Sequence, residues 1–289
     1  MKKREIIEGV IKDYDFPNKG SFELDGKKVI VKGALPGQKV SCMVSKVRKD
    51  KAEARLLDVL ERSEIEDAVP PCPQFGICGG CAYQTMSYEH QLELKAGQVK
   101  KLLDGVIDSE AHPYDWEGII GSPVTTAYRN KMEYSFGDEY KDGPLVLGLH
   151  KKNSMYDIVP VCNCVIVSED YNRIVSYTMG FAREHGLSYH MKMQHVGLLR
   201  HLVLRQSKTN GGLLVNLVTS TDGLENLDLN AYVEGLLALP LDGTIIGILH
   251  TANDSLADAV VPEKVTLLYG REYIEELSLI HISEPTRPE

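Results

Sequence analysis

The sequence predicts a small closed β-barrel of the OB type, followed by a larger α+β domain. Short stretches of alternating apolar and polar residues recur through residues 4–60, which is the pattern of half-buried strands. A proline pair at 70–71 then interrupts the chain. From about residue 110 onward, strand-like and helix-like segments follow one another without repeated βαβ units, and this mixture is typical of an α+β domain.

The barrel is predicted from five short strands within about sixty residues, a number and spacing that suit a small closed barrel. Asp25-Gly26 lies between two of these strands and is a tight hairpin signal. The strands are expected at 5–13, 20–24, 27–32, 38–47 and 52–60. We assign the barrel to residues 1–62.

Charge is distributed unevenly along the chain. Residues 1–60 hold 14 Lys and Arg against 9 Asp and Glu, a net charge of +5, whereas the remainder holds 18 against 32, a net of −14. A basic module on an acidic body predicts one face for a polyanion. The candidate phosphate contacts lie at one strand-to-strand turn: Lys46, Arg48, Lys49 and Lys51. A solubilising hairpin tip is an equally good interpretation of these residues alone.

Cysteines are concentrated in one loop, where Cys72, Cys78 and Cys81 lie within ten residues, and Cys162 and Cys164 follow much later. Four thiolates around one centre are the ligands of a structural zinc ion or of an iron–sulfur cluster. Zinc ribbons usually pair two C-x2-C elements, and this chain has one. The spacing therefore favours a cluster but leaves zinc open.

A helix is predicted over residues 87–103, directly after the cysteine loop. Ser87 is a suitable N-cap, apolar residues from Tyr88 onward recur along one stripe, and Asp104-Gly105 ends the helix. We assign residues 70–105 to the cysteine loop with this helix, and residues 106–276 to the central α+β domain. The elements expected there are strands at 128–136, 144–150, 155–160, 200–207, 212–219, 244–250 and 264–269, and helices at 168–184 and 226–238.

The final stretch, residues 277–289, changes character abruptly and resembles the translation of a sequencing adapter. We expect it to be a non-native tail, with an ordinary C-terminal tail as the alternative. No apolar run approaches the ~20 residues that a membrane span requires, and the first residues lack the apolar core typical of a signal sequence. We therefore expect a cytoplasmic protein without a membrane partner, in which clustered thiols bind metal more often than they form disulfides.

The motifs of this chain resemble one known family. The resemblance is carried by five features: the barrel turns, the cysteine loop with C-G-G-C-A-Y-Q, the following helix, and the segments Y-R-N-K-M-E and L-G-L-H. These motifs occupy residues 15–20, 33–40, 72–84, 88–95, 128–133 and 147–150. The chain resembles the bacterial RNA uracil-5-methyltransferases that use S-adenosyl-L-methionine (SAM), specifically the 23S rRNA branch. The resemblance extends from residue 1 to about residue 276.

The resemblance implies specific cofactors and contacts. It makes the barrel an RNA-binding TRAM domain and places a 4Fe-4S cluster on Cys72, Cys78, Cys81 and Cys164, with Cys162 as the alternative fourth ligand. It also implies that Arg129 and Lys131, expected on one face of a strand, contact phosphate near a flipped target base. Without the resemblance, that pair would be an ordinary solvated strand face.

In this family a Rossmann-like SAM domain follows the central domain and carries the catalytic residues. No SAM-binding or catalytic residue can be assigned in this sequence, so we expect that domain to be missing. The chain is then expected to be a monomer that forms the RNA-recognition and iron–sulfur portion of a 23S rRNA 5-methyluridine methyltransferase, inactive by itself, with SAM bound only by the full-length protein. The alternative is a complete, non-catalytic RNA-binding protein with an iron–sulfur cluster or zinc.

Overall fold

The computed structural model describes residues 1–108, 110–256 and 263–277. The chain forms two compact units, each described separately below. The first, which we call the barrel unit, comprises Met1–Pro71 and Ala82–Pro123. The second, the sheet unit, comprises Cys72–Cys81 and Val124–Glu289, so the cysteine loop belongs to it. The proposed tail begins at the last described residue, and residues 278–289 lie outside the described part of the chain.

The barrel unit is built on one six-stranded sheet with the order β1-β5-β6-β4-β3-β2. Its strands are β1 Ile6–Val10, β2 Asp13–Asp15, β3 Lys19–Leu24, β4 Lys27–Lys32, β5 Lys39–Val47 and β6 Lys51–Glu61. The two edge strands, β1 and β2, are joined by only Ile11 and Lys12. The chain therefore links both ends of the sheet, which is the connectivity of a closed barrel.

The first strand of the barrel was expected to run unbroken over 5–13, but it divides at residues 11 and 12. The Ile11 N–H donates to the Gln38 carbonyl at 2.8 Å, and the next N–H, of Lys12, donates to the Ser21 carbonyl at 3.0 Å. The backbone thus changes its partner strand at this point. The predicted hairpin between β3 and β4 is confirmed, since Asp25 and Gly26 both have positive φ, at 52° and 68°, as a type I′ turn requires.

The helix α1, Tyr88–Asp104, begins at the predicted cap, where Ser87 Oγ accepts from the His90 N–H at 3.4 Å. The predicted apolar stripe is only partly buried, however, because Tyr88, Leu92 and Ala96 are half-buried. Val99 is 44% and Leu102 is 52% exposed, and Gln98 is the residue that the helix buries. Both apolar and polar contacts hold the helix, since Leu94 packs against the buried cluster of Tyr14, Leu35 and Met86. Lys101 Nζ lies 2.7 Å from Asp13 Oδ1 on β2.

The sheet unit contains one seven-stranded sheet with the order β13-β12-β11-β10-β7-β8-β9. Its strands are β7 Lys131–Asp138, β8 Leu145–His150, β9 Ile158–Pro160, β10 Leu199–Gln206, β11 Gly212–Thr219, β12 Thr244–Ala252 and β13 Lys264–Gly270. The helices are α2 Glu169–Glu184 and α3 Leu229–Leu237, with a short 3-10 helix at Leu224–Asn226. Both α-helices pack with the central strands in one hydrophobic core.

The pairing of β11 with β12 corrects the predicted α+β class. These two strands are parallel, and α3 lies between them in sequence, so the sheet is mixed and contains a βαβ unit. The prediction was wrong because parallel neighbours require a crossover, and strand spacing alone does not show which strands become neighbours. Within the described residues, none of the helices combines the length and hydrophobicity that crossing a membrane demands.

Candidate functional site

The cysteine loop is shaped by its own backbone. The Phe75 N–H donates to the Cys72 carbonyl at 3.1 Å, and the Cys78 N–H donates to the Gln74 carbonyl at 2.9 Å. The Gly80 N–H points at Cys78 Sγ, 3.4 Å away. An N–H directed at sulfur favours the thiolate, which is the form that binds metal.

This loop rests against the end of β8. The Gly79 N–H donates to the His150 carbonyl at 3.0 Å, and the Lys152 N–H donates back to the Ile77 carbonyl at 2.7 Å. A Cβ at position 79 would lie 3.2 Å from the His150 oxygen, which is tighter than usual contact. Glycine at 79 therefore allows the loop to approach the strand this closely.

Cys164 lies in the core of the sheet unit and is 7% exposed. Its N–H donates to Asn172 Oδ1 at 2.9 Å. The following residues bond to the segment before β7, where the Ala127 N–H donates to the Val165 carbonyl and the Arg129 N–H to the Ile166 carbonyl, both at 2.9 Å. Helix α2 and the chain entering β7 thus fix the position of this cysteine.

The four predicted ligand thiols are electrostatic neighbours. Burial raises the pKa of Cys164, and the thiols of Cys81, Cys72 and Cys78 raise it further. The pKa of Cys78 is raised by burial, and also by Cys81 and Cys72. Cys81 packs against the core that contains Cys164, whereas Cys162 is exposed.

Proximity does not amount to a formed coordination geometry. Across residues 1–108, 110–256 and 263–277, no three or more His, Cys, Asp or Glu side chains are arranged to hold a metal ion. The six cysteines, all within the described residues, form no disulfide. The assignment of Cys72, Cys78, Cys81 and Cys164 as ligands therefore stays a prediction.

The basic turn predicted for RNA is the hairpin between β5 and β6. Its four basic residues are all exposed: Lys46, Arg48, Lys49 and Lys51. Lys27 joins them, because its Nζ donates to the carbonyls of Arg48 at 2.9 Å and Lys49 at 2.7 Å. Lys27 was missed in the sequence because it reaches this turn through the parallel pairing of β4 with β6.

Arg129 and Lys131 do not share a strand face as predicted. Strand β7 begins at Lys131, so Arg129 precedes it, and its Nε donates to the Lys131 carbonyl at 3.0 Å. Lys131 Nζ lies 3.8 Å from Glu133 Oε2. The strand starts later because the backbone at 127 and 129 bonds to residues 165 and 166 instead.

One buried group near the cysteines was not anticipated. Tyr134 on β7 is fully buried, and its hydroxyl has no hydrogen-bond partner. Burial raises the pKa of Tyr134, and the Cys164 thiol raises it further. The sequence shows an alternating strand here but cannot show which side chain comes near a cysteine thirty positions later.

No protein-family model matches this chain. Among curated proteins, it is 44% identical over 277 residues to an uncharacterized RNA methyltransferase of Clostridium acetobutylicum, covering 96% of this chain and 59% of that protein. A second uncharacterized RNA methyltransferase, from Caldanaerobacter subterraneus, is 43% identical over 280 residues and covers 96% of this chain and 60% of that protein. This chain thus spans about three fifths of the length of these relatives.

Among solved structures, the chain is similar to Pyrococcus abyssi tRNA (uracil-54, C5)-methyltransferase in complex with S-adenosyl-L-homocysteine. The TM-score is 0.63 at 23% identity, covering 93% of this chain and 57% of that chain. At this identity the likeness concerns the fold alone.

These comparisons overturn three expectations drawn from the sequence. We expected the SAM domain to be missing from the fold. We also expected the chain to be only the RNA-recognition and iron–sulfur portion of a methyltransferase, and to be inactive by itself. These three expectations depended on motifs that were not recognised in the sequence and on the position at which the sequence ends. Neither observation shows whether a SAM domain is present or whether the protein is active. The alternative of a non-catalytic RNA-binding protein is corrected as well, because the relatives that match 96% of this chain are described as RNA methyltransferases.

Proposed function

We propose that the protein is a SAM-dependent RNA methyltransferase that methylates C5 of a uracil, with a 23S rRNA uridine as its target. The observation that carries this proposal is the similarity to an RNA methyltransferase at 44% identity over 277 residues. The choice of base and RNA follows the motif resemblance, and the fold shared with a uracil methyltransferase supports the base.

The proposed reaction requires an activated base. Carbon C5 of uracil is a poor nucleophile, and addition of a nucleophile at C6 converts it to an enolate-like carbon. SAM, when bound, would supply the methyl group for C5, and its methyl–sulfur bond would break with release of S-adenosyl-L-homocysteine. Loss of the C5 proton and expulsion of the nucleophile from C6 restore the aromatic base. The base must leave its stack to be reached, and we assign no residue of this chain to these steps.

We propose that the barrel, residues 1–62, is a TRAM domain that binds the RNA backbone through its basic hairpin. Four basic residues are exposed there: Lys46, Arg48, Lys49 and Lys51. Lys27 Nζ donates to the backbone carbonyls of Arg48 and Lys49 and so stabilises the turn. Exposed cations in a row are suited to phosphates. Arg129 and Lys131 are proposed as phosphate contacts near the target base, since both are exposed.

We also propose that a 4Fe-4S cluster binds Cys72, Cys78, Cys81 and Cys164. The donor set is entirely sulfur. The neighbouring thiols raise the pKa of Cys78 and of Cys164, a repulsion between thiolates that a positively charged centre would relieve. Such a cluster would join two parts of the chain far apart in sequence, which restricts the unfolded state.

Two measurements test these proposals. The full-length protein, as its gene encodes it, is incubated with SAM carrying a labelled methyl group and with 23S rRNA lacking its modifications. We expect the label in 5-methyluridine after nucleoside analysis; label at another atom, or none, would refute the proposed reaction. For the cluster, anaerobically purified protein should contain iron and sulfide in equal amounts, whereas stoichiometric zinc without iron would replace the cluster by a zinc site.

A further inference from the structure

A second group of basic residues lies on the barrel, outside the hairpin between β5 and β6. Lys19 on β3 is paired with Lys32 on β4, and Lys32 is paired in turn with Arg55 on β6. Neighbouring strands lie about 4.7–4.9 Å apart, and paired residues lie on the same face of the sheet. The three side chains therefore form one row across the sheet, which we call the cation row.

The cation row faces the solvent. Lys19, Lys32 and Arg55 are all exposed, whereas Val31 and Ala54, which precede Lys32 and Arg55, are buried in the barrel core. Because side chains alternate between the two faces of a strand, the row points away from that core.

The acidic residues beside the row are paired with other lysines. Asp15 is paired with Lys19 across β2 and β3, but its carboxylate lies 3.0 Å from Lys28 Nζ and also contacts Lys101 Nζ. The Asp13 carboxylate contacts the same two lysines, at 3.3 Å and 2.7 Å. Two lysines thus offset the negative charge of the two carboxylates, and the cation row keeps a positive potential for an anionic ligand.

An aromatic side chain lies at one end of the row. Phe16 is in the turn between β2 and β3 and is 56% exposed. Asn18 fixes this turn, because its Oδ1 accepts from the Tyr14 hydroxyl at 3.1 Å and from the Tyr83 hydroxyl. The Asn18 carbonyl also accepts from the Gly33 N–H at 2.8 Å, at the end of β4. The turn is therefore anchored beside the cation row while the ring of Phe16 remains in contact with water.

Proteins hold single-stranded nucleic acid by cations that follow its phosphates and by aromatic rings on which its bases stack. We propose that Phe16 and the cation row form a second RNA contact of the barrel, in which an unpaired base stacks on Phe16 and phosphates lie on Lys32 and Arg55. This inference rests on the proposed RNA substrate and deepens it. Lys51 of the basic hairpin and Arg55 are exposed on the same face of β6, about 13 Å apart, with Glu53 between them. One RNA strand can thus reach both contacts.

Lys32→Gln combined with Arg55→Gln tests the phosphate contacts. Binding of unmodified 23S rRNA to the full-length protein is titrated at several salt concentrations. We expect the slope of log affinity against log salt to flatten by roughly 1.4, since each contact with a single strand contributes roughly 0.7. Lys39→Gln combined with Lys100→Gln is the matched control. Each of these lysines already pairs with a carboxylate of the same unit, at 3.0 Å and 2.7 Å, so the slope should stay close to the wild-type value.

Phe16→Leu tests the stacking. Leucine keeps an apolar side chain but removes the ring, so the affinity for the same RNA should fall about five-fold or more. The salt slope should not change, because no charge is removed. Phe16→Tyr keeps the ring and should bind RNA as wild type does. All of these side chains lie on the surface, and we expect thermal unfolding of the variants to match wild type.

The outcomes separate this inference from the proposed function. An unchanged slope in K32Q/R55Q, an equal flattening in the control, or equal affinities of wild type and F16L would each overturn the second contact. Where wild-type protein still binds and methylates the RNA, the proposed function stands and only this inference fails. Wild-type protein that binds no 23S rRNA would overturn both.

Discussion

The backbone N–H of Cys164 donates a hydrogen bond to the side-chain oxygen of Asn172, 2.9 Å away in the first turn of α2. Asn172 is itself oriented, because its Nδ2 donates to Glu169 Oε2 at 3.0 Å. Both ends of this contact are buried. The start of one helix therefore holds the backbone of the cysteine that we propose as the fourth cluster ligand.

Asn172→Ala should weaken both the fold and the site. The substitution leaves the buried Cys164 N–H without an acceptor, which costs about 1–3 kcal/mol. We expect the free energy of unfolding, measured by urea denaturation, to fall by that amount, and the iron content after anaerobic purification to fall as well. Asn163→Ala is the control, since Asn163 is exposed in the same loop. Equal losses in the two variants would show that the contact has no special role.

Cys164→Ser and Cys162→Ser separate the two possible fourth ligands. Because Cys164 is buried beside the other thiols and Cys162 is exposed, C164S should lose most of the iron and of the visible charge-transfer absorbance. C162S should keep both. The assignment fails if C162S is the variant that loses iron.

Arg48→Gln combined with Lys49→Gln should reduce the salt dependence of RNA binding. Each phosphate contact that is lost lowers the slope of log affinity against log salt by roughly 0.7–0.9. We expect a flatter slope by roughly 1.4–1.8 in filter-binding titrations, if both residues contact phosphate. Lys39→Gln is the control, because Lys39 is paired with Glu61 at 3.0 Å and its removal should leave the slope almost unchanged. An unchanged slope in the double variant would remove the hairpin from the RNA interface.

Lys101→Ala should destabilise the barrel unit in a pH-dependent way. Lys101 is the largest cause that lowers the pKa of Asp13 and of Asp15. A lowered carboxyl pKa in the folded state stabilises the fold at neutral pH, and that stabilisation disappears as pH falls through the lowered pKa values. Since these side chains are about half exposed, the loss at neutral pH should stay below about 1 kcal/mol.

Urea denaturation at pH 7 and at pH 2 measures this effect. The difference between Lys101→Ala and wild type should shrink at the lower pH. Lys100→Ala provides the comparison, because Lys100 pairs with Asp104 within the same helix at 2.7 Å and does not contact β2. A difference that grows on acidification would contradict the proposed cause.

Local pattern was enough for most elements of this protein. The hairpin at Asp25-Gly26, the strand Gly212–Thr219 and the cap at Ser87 lie where the sequence placed them. Each depends on neighbours within a few residues, through backbone conformation and side-chain period. The spacing of Cys72, Cys78 and Cys81 also indicated a thiol site without any structure.

Tertiary structure decided the contacts between distant segments. Local pattern could not predict four features: the parallel pairing of β11 with β12, the exposure of Val99 and Leu102 on α1, the hydrogen bond from the Cys164 N–H to Asn172, and the Tyr134 hydroxyl without a hydrogen-bond partner. Such contacts form only when separate segments are packed together, and their energies depend on which groups then lose water. The periodicity of the sequence predicts that a side chain points into the core. Only the packed structure determines which groups that side chain contacts.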